Sequence, residues 1–242
     1  TSQANLEPFG PRRDSFQSLR WTVDGEITDG RVSWAALYWD PEVSDQPIGA
    51  GIYSAQIDFD LDGNVVGLVG EPDPLAPLVA LAIWAPDSTG DGVPESFAPL
   101  HGGHDWDSTG TRLVYSNGDQ GVLEGLWMWD AVTDTSYFLT QGGSEPAWSP
   151  VDEQIAFAAE GSSLFTINSD GSGEQLILSQ SSGKTRSTDY NLPTWSPDGS
   201  HLLCHKVVVN MKNLNVSASV VRLLSDGSGV KEISDGVPVG WR

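Results

Sequence analysis

The sequence has little positive charge and only one cysteine. Twelve Lys and Arg stand against 33 Asp and Glu, which gives a formal net charge of −21. A chain this acidic repels polyanions, so nucleic acid and anionic membrane surfaces are excluded as partners. The single cysteine, Cys204, excludes an internal disulfide. It follows Leu202 and Leu203 in an apolar segment, so we expect a buried and unreactive thiol.

Other signals are missing as well. No run of about 20 apolar residues predicts a membrane-spanning helix. No window shows a helical period of apolar residues, and no Gly-x-Ser-x-Gly elbow predicts a serine nucleophile. What the chain does have is ten Trp and 27 Gly in 242 residues. This composition favours many short strands joined by tight turns, so we predict an all-β protein with a single domain over residues 1–242.

An aromatic residue at the end of an apolar strand recurs along the chain. The spacings between successive markers are 47, 42, 47 and 46 residues, and the markers are Phe59, Trp106, Trp148, Trp195 and Trp241. A turn and a second apolar strand follow each of the first four. A period in this range, with several short strands in each unit, is typical of the radial sheets, or blades, of a β-propeller.

The turns repeat too. Trp195-Ser196-Pro197-Asp198-Gly199 is followed by a strand pair and then by Ser225-Asp226-Gly227-Ser228-Gly229, and residues 148–178 repeat this order. These segments, and more loosely residues 106–140, resemble the TolB-type, WD40-like (PD40) propeller repeat. The resemblance implies a propeller of four-stranded antiparallel blades and protein–protein interaction through the blade loops or the channel mouth. We therefore expect a non-enzymatic binding scaffold in a secreted or periplasmic setting.

The number of blades depends on how the ends of the chain are used. Residues 237–242 read as an additional innermost strand, and pairing it with strands from residues 16–53 closes a propeller of five blades. Six blades result if Leu19-Arg20-Trp21 begins a blade of its own. A closed ring of blades has no obligatory open edge, so we expect a monomer.

Two segments contain candidate metal ligands. Asp87, Asp91 and Glu95 lie in a loop that resembles the acidic calcium repeats of bacterial surface proteins, and Ca²⁺ binds such carboxylates. The alternative is an ordinary blade turn. His101, His104 and Asp105 can present two imidazoles and a carboxylate to a transition metal near the axis, with a solvated loop as the alternative.

A second hypothesis for function is a carbohydrate-active or metal-assisted enzyme, a hydrolase or lyase working at the axial cleft. It needs convergent carboxylates, and Asp58, Asp105 and Glu145 precede predicted innermost strands in three blades. The binding hypothesis instead needs an exposed surface. Its candidates are the long loops at residues 179–192 and 206–219 and four aromatic side chains that we expect to be exposed, although aromatics of propeller strands also pack between blades: Trp34, Trp39, Trp127 and Trp129.

Overall fold

The computed structural model describes residues 17–23, 30–38, 49–60, 62, 64–78, 81–85, 89–90, 96–99, 102–118, 123–159 and 161–238. Every regular element in these ranges is a β-strand, every strand pairing is antiparallel, and no helix occurs in them. The all-β class predicted from composition is confirmed. The chain divides into two compact units, Thr1–His101 with Asn117–Val122, and Gly102–Ser116 with Leu123–Arg242.

The first unit contains a four-stranded sheet and a two-stranded sheet. The strands of the larger sheet are β1 (Gln17–Val23), β2 (Gly30–Tyr38), β3 (Gly49–Phe59) and β4 (Val65–Leu78), in that order. The smaller sheet pairs β5 (Leu81–Ala85) with β6 (Ser96–Pro99). In the larger sheet Trp34 stacks on Tyr53, with 6.2 Å between ring centroids, and both side chains are buried.

The predicted register of the N-terminal repeat is wrong. Phe59 was expected to end the first strand of a blade, but it ends β3, the third strand of its sheet. The reason is the long pairing of β3 with β2, which runs without a break from Gly30 opposite Ile57 to Tyr38 opposite Gly49. Tyr53 and Ile57 lie in one buried cluster with Val32 and Trp34 of β2, and Ile52, on the opposite face of β3, is buried as well.

The second unit contains three consecutive sheets. In the first, the order is β7 (His104–Trp106), β8 (Arg112–Asn117), β9 (Gly125–Asp130) and β10 (Thr135–Gln141). The second follows the order β11 (Ser144–Trp148), β12 (Gln154–Ala159), β13 (Ser163–Asn168) and β14 (Gln175–Leu178). The third has five strands, β15 (Ser181–Ser182), β16 (Arg186–Trp195), β17 (His201–Asn210), β18 (Val216–Leu224) and β19 (Lys231–Asp235).

The repeat predicted from the tryptophans matches these three sheets. Trp106, Trp148 and Trp195 are the last residues of β7, β11 and β16, the strands that begin each four-strand repeat. The turn after Trp195 is held by Asp198, whose Oδ1 accepts hydrogen bonds from Ser196 Oγ at 2.6 Å and from the Ser200 amide at 3.1 Å. The first of these bonds is the main reason that the pKa of Asp198 falls to about 2. Gly199 has a φ of 67°, which a glycine adopts without steric cost.

Neighbouring sheets of the second unit share their cores. Trp148, Phe157 and Ile155 of the second sheet lie in one buried cluster with Val114 and Met128 of the first sheet. A second buried cluster joins the second sheet to the third, and its members include Ala147, Ala156, Leu164, Trp195, Leu202, Cys204 and Leu223. Cys204 is buried, as expected from its apolar segment, and burial raises the pKa of its thiol to about 12.

Replacing Trp195 by alanine should lower the free energy of unfolding by about 3–5 kcal/mol. The indole is buried in the core shared by two sheets, and its Nε1 donates to the Ala147 carbonyl oxygen at 3.0 Å. Urea unfolding measures the change. Trp195→Phe is the matched control, because it keeps most of the apolar area and should lose less than half as much stability. Unchanged stability of Trp195→Ala would contradict the shared core.

Candidate functional site

The four candidate aromatic side chains do not form an exposed surface. Trp34 and Trp129 are buried, with 2% and 7% of their surface exposed, so the expectation of exposure is wrong for both. Each fills a core, since Trp34 packs with Tyr53 and Trp129 packs edge-on against Trp106 at 6.2 Å between ring centroids. Trp127 is half-buried, and its Nε1 donates to the Leu123 carbonyl oxygen. Trp39 lies outside the described residues.

Only some of the candidate metal ligands lie within the described residues. Asp87, Asp91, Glu95 and His101 lie outside the described residues, so the calcium site and the two-histidine site stay predictions. His104 is fully buried in β7, opposite Tyr115, which rules out the alternative of a solvated loop at this residue. Within the described ranges, no three His, Cys, Asp or Glu side chains are grouped as metal ligands would be.

Asp58 does not lie at the start of an innermost strand as predicted. It is an exposed residue near the end of β3, the third strand of the N-terminal sheet, where it pairs with Gly67 of β4. The prediction failed because it took Phe59 as the end of a first strand. Asp58 therefore is not a member of the proposed carboxylate set.

Asp105 and Glu145 do lie in the first strands of neighbouring sheets, and each carboxylate accepts a hydrogen bond from the next first strand. Asp105 Oδ2 in β7 accepts from the Trp148 amide of β11 at 2.8 Å. Glu145 Oε2 in β11 accepts from the Leu192 amide of β16 at 2.7 Å. The two carboxylates thus form a chain of contacts across three sheets, which gives each of them a structural role.

A backbone irregularity recurs three residues before the tryptophan of each first strand, within β11 and β16 and directly before β7. Gly103, Glu145 and Leu192 occupy equivalent positions and have φ values of 113°, 52° and 51°. Both β11 and β16 also shift register at this point against the strands that follow them. Such bulges bend a strand and redirect its side chains. A left-handed backbone is costly for Glu and Leu, so the surrounding contacts must hold it in place.

Arg112 is the centre of a polar network that the sequence did not reveal. Its Nη2 lies 2.7 Å from Glu153 Oε1, its Nε lies 3.3 Å from Asp107 Oδ2, and its guanidinium carbon lies 5.0 Å from the Trp148 ring centroid. Ser169 Oγ completes the network by donating to Glu153 Oε2 at 2.5 Å. Arg112 belongs to the first sheet of the unit and Glu153 precedes β12, so the network joins two sheets.

The network shifts the pKa of both carboxyl groups downward. The hydrogen bond from Arg112 is the main cause of the lowered pKa of Glu153, and the Ser169 hydroxyl adds to it. Burial alone would raise the pKa of Asp107. Hydrogen bonds from the Arg112 and Thr111 amides and the Thr109 hydroxyl outweigh it, so the pKa of Asp107 also lies below its ordinary value.

The two segments predicted to be long loops are mostly strand. Residues 184–190 and 206–219 extend β16, β17 and β18 into an arm, with pairs from Arg186 opposite Asn210 to Val209 opposite Val216. The run Val207-Val208-Val209 is the signal that could have revealed this, because β-branched residues favour strands. The loop prediction is therefore wrong for most of both segments.

The tip of the arm is exposed and partly apolar. Residues 211–215 connect β17 to β18, and Met211, Leu214 and Val216 have exposed fractions of 49%, 72% and 64%. Backbone hydrogen bonds hold the tip, including Leu214 to the Asn210 carbonyl at 2.8 Å and Met211 to the Thr185 carbonyl at 3.0 Å. An ordered, exposed apolar tip is typical of an interaction surface.

A groove of about 720 Å³ lies on the arm. Its lining is rich in hydrogen-bond donors, with two cationic side chains and several amides and hydroxyls. The lining residues are Thr185, Arg186, Val208, Asn210, Lys212, Asn215, Val216 and Ser217.

The arm belongs to a segment of the chain that is not acidic. Residues 175–224 hold five Lys and Arg against two Asp and no Glu, a net charge of +3, whereas the remaining residues carry −24. Charge asymmetry of this size within one chain indicates a surface with its own binding preference.

Comparisons with known proteins identify the fold. No protein-family model and no curated protein matches the chain. Among solved structures, a putative TolB from Agrobacterium tumefaciens is 16% identical over 92% of this chain and 82% of its own, with a TM-score of 0.50. TolB from Acinetobacter baumannii (10% identity, 90% and 67% coverage, TM-score 0.40) and an oligogalacturonate lyase in complex with manganese (12%, 93% and 86%, 0.39) are more distant in structure.

The antiparallel sheets, the shared cores and the repeated turns are those of a β-propeller. Within that class, the similarity to the putative TolB confirms the TolB-type resemblance of the repeats at the level of the fold. At 16% identity the similarity concerns the fold alone, so any function has to come from the chain's own surfaces.

Replacing Asp105 by alanine should lower the free energy of unfolding by about 1–3 kcal/mol, because the Trp148 amide then loses its acceptor. Asp105→Asn keeps a side-chain oxygen that can accept from the Trp148 amide, so it should lower the free energy of unfolding by less than half as much. Chemical denaturation of the two variants beside the unaltered chain measures both changes. If Asn and Ala were equally damaging, the charge of Asp105 rather than its hydrogen bond to β11 would be what matters.

The Arg112 network should make stability depend on pH. The pKa values of Asp107 and Glu153 are lower in the folded chain than their ordinary values of 3.8 and 4.5. Their contribution is therefore complete above about pH 5 and is lost as the pH falls through the lower folded-state values. Arg112→Met removes the main cause of the lowered pKa of Glu153 but keeps the backbone amides that lower the pKa of Asp107. It should therefore flatten the part of the fall in unfolding free energy that comes from Glu153.

Denaturant unfolding at several pH values, at constant salt, tests this. Lys231→Met removes the same charge from an exposed site on β19 and serves as the control, which should keep the steep pH dependence. An Arg112→Met curve as steep as that of the unaltered chain would show that the network does not set the acid sensitivity.

Proposed function

We propose that this chain is a non-enzymatic binding scaffold that contacts a protein partner through the arm of its last sheet. The observation that carries the proposal is the exposed tip formed by Met211, Leu214 and Val216, which backbone hydrogen bonds hold in one conformation. Exposed apolar side chains on an ordered element provide contact area at little cost in conformational entropy. The resemblance to TolB-type repeats supports an interaction role.

The contacts of the candidate catalytic carboxylates weigh against the enzyme hypothesis. Asp105 and Glu145 each accept a hydrogen bond from the backbone of the next first strand, and Asp58 lies on a different strand of another sheet. A glycosidase needs two carboxyl groups facing one sugar site. Asp105 and Glu145 instead support the architecture that displays the arm.

We further propose that the five sheets are the blades of one closed propeller domain, and that residues 237–242 complete it by pairing with strands of the N-terminal sheet. Closure of this kind removes open sheet edges, which supports a monomer. A secreted or periplasmic setting is part of the same proposal and is supported by the TolB-type resemblance. The described residues contain no helix that is long and apolar enough to cross a membrane.

Removing the apolar side chains of the tip should abolish partner binding without unfolding the protein. Met211→Ser with Leu214→Ser is the test variant, and Val65→Ser with Val66→Ser, which alters two equally exposed residues of β4, is the control. Each protein is immobilised and exposed to secreted and periplasmic proteins of its host, and quantitative mass spectrometry identifies what it retains. Thermal unfolding verifies that both variants are folded.

We expect at least one protein to be retained by the unaltered chain and by the control, and lost by the tip variant. Equal retention by all three would place the binding surface elsewhere and contradict the proposal. Retention of nothing by the unaltered chain would also count against a scaffold role.

A further inference from the structure

We propose that the groove on the arm receives an extended, acidic segment of the partner protein. This inference rests on the proposed function and adds the chemistry of the partner. It is carried by three features of the described residues: the unpaired cations of the groove, the apolar residues beside them and the charge of the surrounding chain.

The first feature is the pair of cationic side chains in the groove. Arg186 at the start of β16 and Lys212 in the tip both line the groove and are exposed. Neither forms an ion pair with another residue in the described part of the chain, whereas the nearby Lys206 is paired with Glu232 at 2.6 Å. The charge of Arg186 acts on Glu232 from a distance, but within the described residues no direct ion pair occupies the guanidinium of Arg186 or the ammonium of Lys212. In a chain with 33 acidic residues, two such bases in one groove indicate an anionic ligand from outside.

The remaining polar lining fits carboxylates as well. Asn215, Thr185 and Ser217 supply amide and hydroxyl donors beside the two cations. Arg binds a carboxylate through two parallel hydrogen bonds, and neighbouring neutral donors add to this recognition. The groove volume is within the range of sites that hold a few side chains.

The apolar residues of the arm favour an acidic protein segment over other anionic ligands. Val208 and Val216 line the groove itself, and Met211 and Leu214 lie in the tip of the arm with large exposed fractions. A polyuronate or a nucleic acid backbone offers no aliphatic side chains for these residues to bury. A peptide that contains both acidic and apolar residues offers both kinds of side chain.

The charge of the rest of the chain favours a short acidic segment over a large polyanion. Residues 175–224 carry a net +3, and the rest of the chain carries −24. A long polyanion would therefore be repelled wherever it extended past the arm, while a segment confined to the groove would be held by the local positive charge.

Binding of synthetic peptides to the purified chain tests the inference. The probe is a fluorescein-labelled decapeptide of alternating Glu and Val, and fluorescence anisotropy at low and physiological ionic strength gives its Kd. The charge variant is Arg186→Glu with Lys212→Glu, and the control is Lys231→Glu, which reverses an exposed base on β19. We expect the charge variant to raise Kd by about tenfold or more and the control to leave it within about twofold.

Three further probes show whether binding needs the carboxylates, the apolar side chains and the peptide backbone of the Glu and Val probe. A Gln and Val peptide lacks the carboxylates, a Glu and Ser peptide lacks the apolar side chains, and a polyuronate of similar length is not a peptide. All three should bind more weakly than the Glu and Val probe. Equal binding of the polyuronate or of the Glu and Ser peptide would overturn the inference, since the groove would then recognise charge alone.

Two results overturn the inference and leave the scaffold proposal intact. One is an unchanged Kd of the Glu and Val probe for Arg186→Glu with Lys212→Glu. The other is a protein that needs Met211 and Leu214 for capture but is retained by the charge variant. Failure of the scaffold proposal is a different result, in which the Met211 and Leu214 variant captures the same proteins as the unaltered chain.

Discussion

The structure of residues 102–238 depends on each sheet covering the apolar face of its neighbour. A four-stranded sheet with two apolar faces cannot bury both alone, so the core has to lie between sheets. Trp148 shares a core with Val114 and Met128 of the preceding sheet, and Trp195 shares the next core with Ala147 and Ala156. Because each tryptophan ends the first strand of its sheet, these strands are held at fixed positions relative to one another.

Polar contacts reinforce the same arrangement. The amides of Trp148 and Leu192 donate to the carboxylates of Asp105 and Glu145, which lie in the preceding first strands. Arg112 connects the first and second sheets of the second unit through its ion pair with Glu153. It also pairs with Asp107, which follows the first strand of its own sheet. A buried or half-buried backbone group without a partner is costly, so these side chains complete what the strand ladders leave open.

The acidic residues of this chain have several different structural roles. Asp170, Asp198 and Asp226 accept hydrogen bonds from backbone amides two residues ahead and so hold turns. Asp105 and Glu145 join sheets. The other acidic residues give the chain its net negative charge, against which the arm at residues 184–190 and 206–219 is distinct. The arm differs in charge from the rest of the chain and also exposes Leu214 and Met211, and it is the surface through which we propose that a partner binds.

The sequence by itself determined the local features of the second unit. Trp-Ser-Pro-Asp-Gly and Ser-Asp-Gly-Ser-Gly specify turns through their own backbone and side-chain geometry, so the strands around Trp148 and Trp195 could be predicted, as could the burial of Cys204. Local signals are weaker where the repeat is degenerate. Phe59 was therefore assigned to the wrong strand, and with it Asp58.

Only the tertiary structure decided which side chains face solvent and which acidic side chains accept a hydrogen bond from another strand. The residues around Trp34 and Trp129 in the sequence do not distinguish a buried tryptophan from an exposed one. Both side chains are buried by packing against residues of other strands. Asp105 and Glu145 became structural acceptors because bulged first strands of neighbouring sheets bring a carboxylate to another strand's amide. The arm became strand because β16, β17 and β18 pair beyond the length that the repeat requires. Each of these outcomes is a long-range contact, and residue type and spacing along the chain do not specify such contacts.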